Sequence, residues 1–179
     1  MKELETYLSR LAERGLNRTE NVLVVDLGEK KVHHFRDGQR VGLYPVSSGQ
    51  RPRSCLQDSL GTPWGLHEIA SRHGHHAPPG TIFKGRVSTG ERWQDRADRG
   101  PGQRTFVTTR ILRLRGLEEG LNAGPGIDSF ARYIYIHGTN HPEAFPENRS
   151  HGCLLMRDAD LIKLFPALPE GSHVWISAP

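Results

Sequence analysis

"NVLVVDLGEKKVHHFRDGQRVGLYPVSSG", Asn21 to Gly49, reads as three strand-like pieces separated by "GEK" and "DG". Asp37-Gly38 is a strong hairpin signal, because a two-residue type I′ turn requires positive φ at both central positions. The same punctuation continues outward from this stretch. "GTPWGLHEIA" (61–70) is a turn leading into a strand, and "RTFVTTRILRLRGL" (104–117) supplies one or two more. "ARYIYIHGT" (131–139) is β-rich and ends at His137, and "GSHVWIS" (171–177) is a last strand. "SRHGHHAPPG" (71–80) and "GERWQDRADRGPGQ" (90–103) read as loops, the histidines of the first as solvated residues rather than a ligand set. Two helices are expected. Leu4, Tyr7, Leu8 and Leu11 recur at helical spacing near the N-terminus. "DADLIKLF" (158–165) is opened by Asp158 and Asp160, whose carboxylates suit the free N–H groups of a helix start, and is stopped by Pro166.

Twenty glycines and twelve prolines in 179 residues favour many turns and short strands. The expected fold class is mainly β, a sandwich or barrel-like sheet pair. One catalytic-size domain is expected over residues 19–179, with residues 1–18 as a helical extension. The net charge of +4 comes from scattered arginines without a run of like charges, which gives only weak support to nucleic-acid binding and fits an anionic small substrate as well as an ordinary solvated surface. No stretch approaches the roughly 18 apolar residues of a membrane span. The first twenty residues lack the apolar run of about 7–15 that a signal peptide needs, so a cytoplasmic setting is expected, with export by another route or a trimmed sequence as the alternative. Cys55 and Cys153 make no disulfide framework, and both thiols are expected free. The sequence carries no signal of oligomeric state.

"HGTNHPEAFPENRSHGC", His137 to Cys153, gathers three histidines and a cysteine. A thiol beside an imidazole is a nucleophile with its base, provided the thiol pKa falls from its usual value of about 8.5. A short helix following Cys153 would add N–H groups that favour negative charge. Gly152 allows close backbone approach, so the N–H groups of Gly152 and Cys153 become candidate oxyanion donors. Zinc competes, with His137, His141, His151 and Cys153 offering N and S ligands. However, His-x-x-x-His shares a face best on a helix, and Gly138 and Pro142 argue for a loop. A structural polar loop is the third reading.

"IHGT" (136–139) followed by "SHGCLLM" (150–156) closely resembles the signature of the L,D-transpeptidases with a YkuD-type catalytic domain. "VDLGEKKVHHFRDG" is similar to the family's opening hairpin, "VSSG" (46–49) and "TPWGLHEI" (62–69) to two internal segments, and "MRDADLIKLFPALPEGSHVWI" (156–176) to its closing helix and strand. The resemblance implies a β-sandwich of mixed sheets with a short helix after the cysteine and the site at one open edge. It implies Cys153 as nucleophile, His137 as base, the Gly138 carbonyl orienting that imidazole, and Ser150, His151 and Gly152 shaping the turn and oxyanion region. No metal and no cofactor enter this chemistry. The partners implied are peptidoglycan stem peptides or soluble muropeptides, cleaved at the L,D bond to a terminal D-alanine through a thioester. Water as acceptor makes an L,D-carboxypeptidase, the reading that a cytoplasmic setting favours; an amine acceptor makes a cross-linking transpeptidase. A zinc hydrolase and a non-catalytic wall-fragment binding module remain as alternatives. The chain departs from the family at Leu155, where a polar Arg or Asn is usual. Arg149, Arg157 and Thr139 are therefore the candidate substrate contacts, although each arginine reads equally as a solvated charge.

Overall fold

The computed structural model describes residues 2–98, 105–147 and 149–178, so the end of the loop expected at 90–103 and the first residue of the strand expected at 104–117 lie outside the described residues. A helix, α1 (Lys2–Glu13), precedes the meander β1 (Asn21–Asp26), β2 (Lys31–Arg36) and β3 (Gln39–Pro45). Then come β4 (Gly65–His73), β5 (Thr81–Lys84), β6 (Val87–Arg92) and the long β7 (Val107–Gly116). β8 (Tyr135–Gly138), β9 (Leu154–Met156), α2 (Asp158–Leu164) and β10 (His173–Ile176) complete the order. The β2–β3 turn has φ of 48° at Asp37 and 83° at Gly38, the double positive φ that its sequence demands.

The strands hydrogen-bond in the order β3-β2-β1-β10-β4-β7-β5-β6, with β8 branching from β7 and β9 from β8. β1 with β10 and β8 with β9 are parallel, and the other pairs are antiparallel, so the sheet is mixed. Branching at β7 turns the network back on itself. In the layer of β1, β10 and β4, Leu23, Val25, Val174, Ile176 and Ile69 form one core with Leu112, Leu114, Ile136, Leu154 and Met156 of β7, β8 and β9, Ile69 pairing with Leu114 across the ladder, and Leu161 and Leu164 of α2 join them. The opposite face of the first layer is covered too. Val22, Val24, Phe35, Leu66 and Trp175 pack against Tyr7 and Leu11 of α1, which explains why β1 is buried on both faces and reads as an unbroken apolar run. Polar contacts fix the helix in register: Tyr7 OH meets His173 Nδ1 at 3.0 Å, Trp175 Nε1 donates to Glu3 at 3.1 Å, and Arg14 reaches the buried Glu118 at 3.0 Å.

Three local readings differ from the structure. The strand expected over 131–139 begins only at Tyr135, because Asp128 Oδ1 accepts the N–H groups of Phe130 and Ala131 and holds the preceding residues in a turn. The loop expected over 71–80 starts later, since β4 runs to His73. Asp158 stands at the start of α2 but does not cap it: the cap residue is Arg157, without a side-chain cap bond, and the Asp158 carboxylate accepts from Trp93 Nε1 at 3.0 Å and Thr108 Oγ1 at 3.1 Å.

Candidate active site

The face of β7–β8–β9 that points away from the main core carries the candidate residues. β8 and β9 pair in parallel with His137 opposite Leu155. Continuing that register places Cys153 beside Tyr135, and the Tyr135 N–H indeed donates to Cys153 Sγ at 3.3 Å. Side chains two residues apart share a face of a strand, so His137 and Cys153 point the same way, one row apart. Both line one cavity of about 410 Å³, together with Gln50, Val107, Arg149, Ser150 and His151.

His137 is rigidly set. It is buried, and its Nδ1 meets the Gly138 carbonyl at 2.7 Å. A carbonyl only accepts, so the proton sits on Nδ1 and Nε2 is left with its lone pair. Gly138 is required by space and not by its φ. A Cβ there would lie 2.1 Å from Asp158 Oδ1 and 2.6 Å from Thr108 Oγ1. The Asp158–Thr108–Trp93 cluster thus backs the carbonyl that orients the imidazole, a role the capping reading of Asp158 missed.

The cysteine turn is held by its own motif and by the two upstream segments. The Ser150 hydroxyl donates to the Cys153 carbonyl and accepts the Gly152 N–H at 3.2 Å. Gly152 has φ of 115°, and a Cβ there would lie 2.9 Å from the Gly61 carbonyl, so glycine is needed on both counts. Ser47 exchanges two backbone bonds with Leu155, at 3.0 and 2.8 Å. Gln50 N–H reaches the Ser150 carbonyl at 3.0 Å, and Gly49 N–H reaches Thr62 Oγ1 at 2.9 Å. Arg132, which sequence reasoning passed over, ties the 54–61 loop behind this turn through bonds to Ser54 O at 3.0 Å and Gly61 O at 2.7 Å. Nothing in its local sequence marks it; only the fold brings it there.

Two expectations for the sulfur are corrected. Cys153 is followed by β9 and not by the helix, so it gains no helix-terminus field. Burial pushes its thiol up to about 11, against the weaker pull of the Tyr135 N–H and the Arg132 charge. The thiol meets the Tyr133 carbonyl at 3.5 Å, as a neutral S–H donor would. Burial also pulls His137 down to about 4, partly offset by the Gly138 carbonyl. The resting pair is therefore neutral thiol and neutral imidazole between those two values. Iodoacetamide labelling of Cys153, read by peptide mass against Cys55, should accelerate about tenfold per pH unit from pH 7 to 10 without a plateau, because only the thiolate reacts. A pH-independent rate over that range would mean a preformed ion pair.

The remaining candidates separate. Arg149 lines the cavity and pairs with Glu147 at 2.9 Å. Arg157 stacks over Phe145 at 5.4 Å, outside that cavity, and Thr139 is buried with its hydroxyl accepting the His141 N–H at 3.1 Å. Neither is a lining residue. Leu155 is buried opposite His137 and offers no polar contact. His151 is exposed and borders a second cavity of about 280 Å³ on its other side. Its backbone N–H and that of Cys153 are the oxyanion candidates left, since the Gly152 N–H turns to Ser150 instead. His141 contacts Asn140 and Glu143, and among the described residues no three His, Cys, Asp or Glu side chains come together as a metal site. Both cysteines are free, with Cys55 buried beside the Trp64 carbonyl.

The mixed β-sheet presents a thiol and an oriented imidazole in one cavity. The L,D-transpeptidase catalytic domain, YkuD, matches residues 20–176, and the chain belongs to that family. No curated protein matches it in sequence. Among solved structures, it is similar to an L,D-transpeptidase from Xylanimonas cellulosilytica, at 16% identity over 94% of this chain and 68% of that one, with a TM-score of 0.54. An L,D-transpeptidase from Mycobacterium tuberculosis H37Rv gives 19% identity, 89% and 58% coverage and a TM-score of 0.55. L,D-transpeptidase 3 from Mycobacterium tuberculosis, in complex with a faropenem-derived adduct, gives 19%, 89%, 60% and 0.53. The chain spans about three fifths of the length of the two mycobacterial structures.

Proposed function

We propose that the chain cleaves the L,D bond between a diamino acid and the terminal D-alanine of a peptidoglycan stem tetrapeptide, with Cys153 as nucleophile and His137 as base. The observation that carries this reading is the imidazole held through Nδ1 on the Gly138 carbonyl, in the cavity that Cys153 also lines. Cys153 Sγ attacks the carbonyl carbon as its proton passes to His137 Nε2. Because both groups are neutral at rest, proton transfer accompanies attack and does not precede it. The N–H groups of His151 and Cys153 stabilise the oxyanion. Such donors contribute about 3–4 kcal/mol each where they are preorganised. The tetrahedral intermediate collapses, the C–N bond breaks, and D-alanine leaves with the proton from His137. A thioester on Cys153 remains.

Arg149, as the cation of the cavity, takes the carboxylate of the departing D-alanine and does the work of the polar residue missing at Leu155. We take water as the acceptor, delivered by His137 from the position the D-alanine vacates, which makes the chain an L,D-carboxypeptidase acting on muropeptides. One observation favours the second reading, transfer to an amine. The cavity beyond His151 is also lined by Asp58, whose carboxylate suits an incoming ammonium group. Incubation with a defined tetrapeptide muropeptide, with and without an amine acceptor, followed by mass analysis, tests both. Tripeptide alone in the two conditions is expected; cross-linked product would transfer the assignment to transpeptidation, and an unchanged tetrapeptide would end it.

A further inference from the structure

The row of the sheet that holds Cys153 continues onto β7. Arg113 pairs across the ladder with Tyr135, whose N–H meets Cys153 Sγ. Arg86, from the β5–β6 turn, donates to the Tyr135 hydroxyl at 3.0 Å. Both guanidinium groups face the Tyr133 ring, with Arg86 Cζ 5.6 Å and Arg113 Cζ 5.0 Å from its centroid, and that ring is 55% exposed.

Two observations mark this pair as short of an anion. Among the described residues, neither Arg86 nor Arg113 has a carboxylate partner; Glu68, the nearest acid along the ladder, is taken by Arg115 at 2.9 Å. The other titratable neighbour is His73, with Glu170 beyond it. Arg113 Nε is buried and has no hydrogen-bond partner. Leaving such a donor unmade costs about 1–3 kcal/mol, and the same guanidinium lies 3.4 Å from the Phe130 ring centroid and donates to the Phe130 carbonyl at 2.8 Å.

Direction follows from the chemistry. The base that protonates a departing amine must stand on the leaving-group side, so D-alanine lies toward His137 and Arg149, and the acyl portion lies toward Tyr135 and Tyr133. Resting on the assignment of Cys153 as nucleophile, we propose that Arg86, Arg113 and the Tyr133 ring form a subsite for a carboxylate on the acyl portion of the donor. It stands two strand spacings, roughly 10 Å, from the sulfur. The substrate class is thereby narrowed to donors that carry a free carboxylate upstream of the diamino acid.

The test uses two synthetic tetrapeptides that differ only in whether the residue before the diamino acid carries a free carboxylate or its amide. Calorimetry on Cys153→Ala protein reads binding without turnover. The free carboxylate should bind about tenfold more tightly, as a charge-assisted contact allows. Adding Arg86→Gln should bring the ratio close to one, while Arg86→Lys should retain part of it. Equal binding of the two peptides, or a ratio that survives Arg86→Gln, would overturn the subsite. Discrimination in Cys153→Ala protein together with no turnover of either peptide by the unsubstituted enzyme would leave the subsite standing and remove the catalytic reading instead.

Discussion

Cys153→Ala is expected to lower tripeptide release by about 10⁴–10⁶-fold, the scale on which loss of a covalent nucleophile is felt. The loss should fall on kcat, since the cavity and its Arg149 stay in place. Stability should change little. The sulfur packs at the edge of a small cluster of Phe83, Ile111 and Tyr135, and its removal gives up the Tyr135 N–H contact at 3.3 Å and the contact to the Tyr133 carbonyl at 3.5 Å, worth about 1 kcal/mol each at most. His137→Gln is the informative partner. It should cost about 10²–10⁴-fold, because a base contributes less than the atom that forms the bond. A Cys153→Ala protein that still released D-alanine at a hundredth of the original rate would show that another group does the chemistry.

Gly138→Ala is the second large effect, and it arises from a residue that touches no substrate. Its Cβ would sit 2.1 Å from the Asp158 carboxylate, 2.6 Å from the Thr108 hydroxyl and 2.9 Å from the Thr108 carbonyl. The carboxylate cannot simply swing away, since Trp93 Nε1 and Thr108 Oγ1 both hold it. Overpacking of this kind costs about 1–3 kcal/mol, which lowers Tm by several degrees in a chain of this size. The larger consequence is functional. Backbone displacement moves the carbonyl that holds the His137 tautomer, and kcat should drop at least about 10²-fold with a smaller change in KM. Adding Asp158→Ala makes room for the methyl group and should recover part of both losses, a coupling that a double-mutant cycle reads directly. Additive effects of the two substitutions would mean that Asp158 does not back this carbonyl.

What the sequence makes legible here is local. The Asp37-Gly38 turn, the alternation of short apolar runs with glycine and proline, and the Ser-His-Gly-Cys turn after His-Gly-Thr all encode backbone geometry within a few residues. Those features appear in the structure where the residues place them. Asp158 shows the limit. A carboxylate at the head of a helix reads as a cap, yet its acceptors are taken by Trp93 and Thr108, residues far away in the chain. The polarity of the sulfur's surroundings is equally hidden. Residue types alone favour a thiolate beside an imidazole, whereas burial in the fold raises the thiol and lowers the imidazole. Arg132, Arg86 and Arg113 read as scattered surface charges, and only the fold brings them near Cys153 or the strand row it lies on.

The central claim, that the Cys153 sulfur accepts an acyl group, is tested most directly by intact-protein mass spectrometry after exposure to a carbapenem. A single covalent adduct is predicted, mapping to the peptide that contains Cys153 and missing from Cys153→Ala protein. An unmodified mass, or an adduct carried on Cys55, would contradict it.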